Sequence, residues 1–248
     1  MTPPIVFYDI PSTLPNKAWS PNTWKTRYAL NYKGVPYTTV WVEYPDIEPL
    51  CRDIGATPTS TKADGRPHYT LPIIHDPSTG LVVSDSTKIA AYLDATYSDT
   101  PRLIPFGTMG LQRAFEAAAQ SLLAPVTQYG HPAANAKLNP TSEAYIRRTR
   151  EAMWRKTLEE LTPKGAEDVV QWAKVKEGFG KMDEWIGASG EGSAYIMGDA
   201  PCYADMWIAG YVVWIKLILP DKWEDMKLWH GGRWATLLQN LEKYETVM

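Results

Sequence analysis

A chain of 248 residues with 44% hydrophobic and 21% charged residues carries enough apolar side chains for a packed core, which excludes a disordered chain. The formal net charge of -3 and the lack of any Lys/Arg run exclude a broad basic footprint, so no nucleic-acid partner is expected. Cys51 and Cys202 are too few for a disulfide framework, and no apolar run reaches the ~20 residues of a bilayer span. The opening MTPPIVFYDIP lacks a basic segment and an apolar stretch of signal length, so the expectation is a cytosolic protein with no membrane partner.

In chain order, residues 4–8 read as a buried strand, and Pro21 to Lys33 as a helix closed by Gly34. VPYTTVWVEY is β-branched and aromatic, a second strand. DIEPLCRDIG predicts a short helix, and the polar ATPTSTKADGRPHYT a long loop. LPIIHD and LVVS flank Pro77 to Gly80 as a hairpin. Ile89, Tyr92, Leu93, Thr96 and Tyr97 then recur at helical spacing. After the linker SDTPRLIPFG no strand is predicted, only helices over 111–126, 141–161, 166–187, 202–218 and 233–247. The fourth of these is apolar nearly all round and should be the buried centre of a bundle. The predicted order β-α-β-α-β-β-α followed by helices gives a small α/β domain over 1–97 and an all-α domain over 109–248.

Ser20-Pro21 opens the first helix with a favoured cap and a favoured first residue, so capping alone accounts for both. A helix N-terminus after a strand is also an anion site. Leu71-Pro72 opens a strand, where proline is tolerated, and a cis bond there would turn the Leu71 backbone outward. Asp85-Ser86 starts the third helix as a cap, or as a pair able to hold an amino-acid head group. The histidines at 68, 75, 131 and 230 have no metal-ligand spacing, so no metal is expected, and neither GxGxxG nor a P-loop occurs.

The succession of a strand, SPNTWKTRYALNYKG, a strand, LPII, SDS, an amphipathic helix and a bundle containing PCYADMWIAG resembles a cytosolic glutathione transferase over essentially the whole chain. The SPNTWKTRYALNYKG stretch and the long loop before LPII are most similar to the fungal-specific class related to bacterial β-aryl-ether-cleaving transferases. The resemblance implies a thioredoxin-like N-terminal domain that binds glutathione as co-substrate, an all-α C-terminal helical bundle forming a hydrophobic acceptor site, and a homodimer. It puts Ser20 at the catalytic position, with Asn22 in the same turn. Pro72 takes the place of the cis-proline, Leu71 supplies backbone bonds, and Asp85 and Ser86 match the pair on the γ-glutamyl end. Arg66 and His68 are expected near the glycyl carboxylate, and Phe115, Tyr129 and Tyr203 in the acceptor pocket. Tyr8 competes with Ser20 as donor to the sulfur, since tyrosine-type members carry theirs near the end of the first strand.

One departure is Cys202, where the family keeps a Ser or Thr cap three residues before Asp205; a thiol is a poor acceptor, which weakens the cap by about 0.5–1 kcal/mol. With Ser20-Pro21-Asn22-Thr23 at the dithiol position, no mixed disulfide forms there, so activation of glutathione's own thiol is expected rather than reductase chemistry. The expected function is attack of that thiol on hydrophobic aromatic or phenol-derived electrophiles. Two alternatives are a non-catalytic, glutathione-dependent binder of aromatic or polyphenolic small molecules and a regulatory partner module.

Overall fold

The computed structural model describes residues 3–248. The N-terminal part runs β1 (Ile5–Asp9), α1 (Pro21–Lys33), β2 (Tyr37–Trp41), α2 (Ile47–Asp53), β3 (Ser60–Thr61), β4 (Pro67–His68), β5 (Ile73–Asp76), β6 (Leu81–Ser84) and α3 (Ser86–Thr96). Four strands form one sheet in the order β2-β1-β5-β6. β1 and β2 are parallel, while β5 runs antiparallel to β1 and to β6. This is the thioredoxin-like arrangement. Beyond it stand α4 (Met109–Leu122), α5 (Thr127–Asn135), α6 (Pro140–Trp154), α7 (Leu158–Leu161), α8 (Ala166–Gly187), α9 (Tyr203–Ile218), α10 (Pro220–Met226) and α11 (Arg233–Leu241). Among the described residues no strand follows residue 84.

α1 has the predicted bounds, and Gly34 ends it in the left-handed conformation with φ 66°, its N–H bonding back to Asn31 and Leu30 carbonyls. The hairpin also forms, with Ile73 opposite Ser84. Several features differ from the sequence expectation, among them an unexpected α10 and a last helix that ends at Leu241 rather than 247. The 56–70 loop holds a two-residue ribbon, Ser60 opposite His68 and Thr61 opposite Pro67, too short to carry a periodic signal. The predicted 141–161 helix breaks at Arg155, which adopts φ 55°, and resumes as α7 behind a Thr157–Glu160 capping box. α5, with Gly130 and an internal Pro132, forms although its composition argues against helix. Packing decides that case: Gly130 lies directly against the Trp214 ring, where a Cβ would sit 1.9 Å from a ring carbon.

α9 is the buried centre the sequence indicates, with Met206, Trp207, Ile208, Ala209, Val212 and Ile215 at or near zero exposure. Its N-terminus forms the capping box in both directions, the Cys202 sulfur facing the Asp205 N–H as a weak acceptor. Asp205 Oδ2 accepts from Cys202 N–H at 2.9 Å and Oδ1 from Ile196 N–H at 2.8 Å. Burial pushes the Cys202 thiol up to about 12, which keeps it protonated and unreactive.

α1 packs against α9 on one side and α3 on another. The α9 contact is closest at Gly210, where a Cβ would lie 2.6 Å from the Pro21 carbonyl oxygen. Gly210→Ala therefore overpacks a backbone-to-backbone contact and should cost about 1–3 kcal/mol, a shift of several degrees in Tm. An unchanged thermal melt for that variant would show that α1 and α9 are free to separate.

Candidate active site

The β1–α1 connection brings Trp19, Ser20 and Asn22 to the junction of the α/β part and the helical part. Two cavities meet there. The larger, about 690 Å³, runs from Ser20 past Leu71 to Lys62, Arg66 and His68 on the β3–β4 ribbon. The smaller, about 240 Å³, lies between the first turn of α1 and helices α5, α6 and α9, walled by Trp19, His131, Asn135, Tyr211 and Trp214. Four residues line both: Ser20, Asn22, Tyr44 and Arg150.

Ser20 has extended backbone angles suited to an N-cap, and its carbonyl accepts from Trp24 N–H at 3.0 Å and Thr23 Oγ1 at 3.2 Å. Its side chain makes no capping bond and finds no other partner among the described residues. The hydroxyl is thus left at the wall where the cavities meet, next to the orphan N–H groups of the first turn. Asn22, exposed to both cavities, accepts at Oδ1 from Lys25 Nζ at 3.0 Å. Tyr8 is packed in the middle strand of the sheet opposite Val40 and Ile73, and lines neither cavity.

The Leu71–Pro72 peptide is cis, and Leu71 borders the larger cavity. Its N–H has no partner among the described residues. Arg66 is mostly exposed and paired with Asp64 at 2.6 Å, while His68 bonds Ser60 Oγ through Nδ1 at 3.1 Å. Asp85 caps α3 with φ 81°, Oδ1 accepting from Thr87 and Lys88 N–H, each at 3.0 Å. That φ is uncommon for a residue with a Cβ. Ser86 Oγ accepts from Tyr203 OH at 2.8 Å, and Thr87 Oγ1 donates to Glu116 at 2.9 Å, tying α3 to α9 and α4. Asp85 and Ser86 border neither cavity.

The three aromatic residues expected at an acceptor pocket lie elsewhere. Phe115 stacks edge-on against Trp185 and Trp207. Tyr129 turns its hydroxyl to the Asp168 carbonyl. Tyr203 is spent on Ser86. Tyr129 and Tyr203 are buried and Phe115 is half-buried against the core, while the smaller cavity uses instead Trp19, Tyr44, His131, Tyr211 and Trp214. Of these, Trp19 stands beside Ser20 in the sequence and was the one most open to inference. His131 and Trp214 sit far along the chain in helices with no motif to mark them.

Electrostatics in the smaller cavity favour neutral groups. Burial, with the Arg150 charge beside it, pulls the His131 imidazole down to about 4. Burial pushes the Tyr44 and Tyr211 phenols up to about 12. Near neutral pH the imidazole is therefore uncharged and both phenols keep their protons. Among the described residues there is no cluster of His, Cys, Asp or Glu able to hold a metal, and no helix long and apolar enough to cross a membrane.

Comparison with known proteins agrees with this geometry. Residues 19–96 match the glutathione S-transferase N-terminal domain and residues 110–244 the glutathione S-transferase C-terminal domain. The chain is 35% identical to a glutathione S-transferase-like protein, ustS, of Aspergillus flavus, over 94% of this chain and 88% of that protein. Among solved structures, a glutathione S-transferase of Ceriporiopsis subvermispora in complex with glutathione is 50% identical, covers 99% of both chains and superposes with a TM-score of 0.93. Glutathione transferase GSTFuA3 of Phanerochaete chrysosporium is 42% identical over the whole of both chains, with a TM-score of 0.95. A glutaredoxin 2 of Salmonella typhimurium, at 15% identity and a TM-score of 0.60, shares the fold alone. By both domains and by its full-length relatives, this chain belongs to the glutathione S-transferase family, among fungal members.

Proposed function

We propose that the protein is a serine-type glutathione transferase in which the Ser20 hydroxyl donates to the sulfur of glutathione and holds it as a thiolate. The observation that carries this reading is the Ser20 side chain without any partner, at the wall common to both cavities. A hydroxyl beside a helix N-terminus would ordinarily cap it. Here it remains available to a ligand.

The larger cavity suits a tripeptide: polar and cationic groups stand at one end, Ser20 at the other, and a free Leu71 N–H between. Leu71, with Pro72 behind it, would hold the cysteinyl backbone. Arg66 and His68 would face the glycyl carboxylate, and Asp85 with Ser86, which lie outside this cavity, would take the γ-glutamyl end beyond it. Lowering a thiol pKa by two units takes about 2.7 kcal/mol. A hydrogen bond to the charged sulfur supplies ~1.5–3 kcal/mol, and the α1 terminus adds ~0.3–1 kcal/mol. No general base is needed.

The smaller cavity, aromatic apart from the Arg150 guanidinium at its junction with the larger one, supports a flat hydrophobic acceptor brought against the sulfur: an aromatic or phenol-derived electrophile that is attacked by the thiolate or loses a leaving group to it. The same walls would hold an unreactive polyphenol, which is the binder alternative. Turnover of glutathione with an aromatic halide separates the two. If the native protein fails to turn over while phenols bind at micromolar strength, the binder reading replaces the transferase.

Ser20→Ala is expected to raise the pKa of bound glutathione's thiol by about 1–2 units and to lower turnover about 10–100-fold, with glutathione affinity within a few-fold. Tyr8→Phe should leave both unchanged, and the reverse pattern would transfer the role to Tyr8. His131 gives a separate check on the acceptor cavity. The unfolded chain takes up that proton near 6.5 and the folded chain only near 4. Stability contributed by neutral His131 is thus present above about 6.5 and lost as pH falls toward 4. Chemical denaturation across that window should show a steeper acid loss for the native protein than for His131→Gln, and equal slopes would refute the neutral imidazole.

A further inference from the structure

Lys25 is 3% exposed, in the second turn of α1, and no carboxylate lies within ion-pair distance of it among the described residues. Lysine is almost never buried this deeply without an acidic partner. Its stem packs beside Gly210, where a Cβ would lie 3.3 Å from Lys25 Cγ. Its amine sits over two rings of α9, 4.4 Å from the centroid of Trp207 and 5.1 Å from that of Tyr211. Among the described residues its single hydrogen bond goes to Asn22 Oδ1 at 3.0 Å.

That bond fixes a choice. A side-chain amide can turn either its oxygen or its NH2 toward a ligand, and the two have opposite effects on an anion. An amine with no exposed route to other partners requires the oxygen. The Asn22 NH2 is then left on the far side, free of any partner among the described residues, at the wall shared by the two cavities.

We propose that Lys25 is a positioning residue: by holding Asn22 Oδ1 it locks the amide with Nδ2 toward the cleft, as a second donor to the glutathione sulfur beside the Ser20 hydroxyl. This rests on the thiolate reading above. Burial pulls the amine down to about 7, while the carboxylates of Glu116 and Asp85 work to raise it. The charged amine has no lone pair and can only donate, so the lock is firm below that pH; the neutral amine can also accept, which loosens the lock above it. Two donors also explain how α1 can stabilise a thiolate with only one uncommitted hydroxyl in its first turn, since Thr23 Oγ1 donates to the Ser20 carbonyl.

The test is a double-mutant cycle on the full chain with Lys25→Met, Asn22→Ala and the pair, reading the thiol pKa of bound glutathione by thiolate ultraviolet absorbance, together with kcat and KM. Each single variant is expected to raise the thiol pKa by about half a unit to one unit and to lower kcat several-fold with KM for glutathione within about twofold. The pair should shift no further than either single variant. A purely structural Lys25 predicts a lower Tm with the thiol pKa unmoved, which overturns the proposal, as would shifts that add. Should Lys25→Met not fold, Asn22→Ala decides: an exposed residue is removed, and an unchanged thiol pKa means no donor was there. Ser20→Ala separates the two levels of inference. If it too leaves the thiol pKa unchanged, the thiolate reading has failed; if it alone shifts the pKa, only the Lys25 role has.

Discussion

The seat of α1 is the constraint on which the site depends. Arg27 and Asp9 form an ion pair of 2.7 Å at zero side-chain exposure, joining α1 to β1. Lys33 pairs with Asp94 of α3 at 2.9 Å, and Tyr28 donates to Glu245 near the C-terminus at 2.8 Å. With the Gly210 contact on α9, the helix is held from four directions. A buried pair of this kind adds little net stability, but breaking it strands a charge at a cost of about 3–5 kcal/mol, so it fixes position more than it strengthens the fold.

Because α1 cannot slide, its N-terminus opens at a fixed point between sheet and bundle. The first turn presents orphan N–H groups, a hydroxyl and an amide to one spot, while the cis Leu71–Pro72 peptide borders the groove leading to it. On the opposite wall α5, α6 and α9 supply His131, Arg150, Tyr211 and Trp214. The α/β part thus contributes the polar groups of the first turn, and the helices contribute aromatic walls together with the Arg150 guanidinium. The Ser86–Tyr203 and Thr87–Glu116 bonds join the two halves beside the site, so their relative placement is itself specified.

Much of this was legible in the chain. Gly34, the hairpin residues 77–80 and the continuous apolar run of α9 act locally, through backbone φ and hydrophobic period, and such signals survive in a single sequence. α1 was legible in its bounds and not in its burial. TWKTR places polar side chains where a buried helix ordinarily carries apolar ones, and only partners distant in sequence make them tolerable. Ser20 shows the same divide. Its residue type and the proline after it announce a helix start, but whether the hydroxyl caps the helix or faces a cavity turns on a side-chain rotation that local sequence does not constrain.

By itself the sequence determined the order of elements and the division into an α/β and a helical half, since these follow from propensity and periodicity along the chain; the thioredoxin-like character of the first half and the short list of polar residues around the first helix came with the family resemblance. The tertiary structure alone decided which aromatic residues wall the smaller cavity, sending Tyr129 and Tyr203 into the core, Phe115 half-buried against it, and His131 and Trp214 to the cleft. It alone gave Lys25 its place against Asn22 and two indole and phenol rings. The reason is common to both: these outcomes depend on which helix faces cross in space, and crossing is set by close packing between segments some 180 residues apart, as between Lys25 and Trp207, which no local pattern encodes.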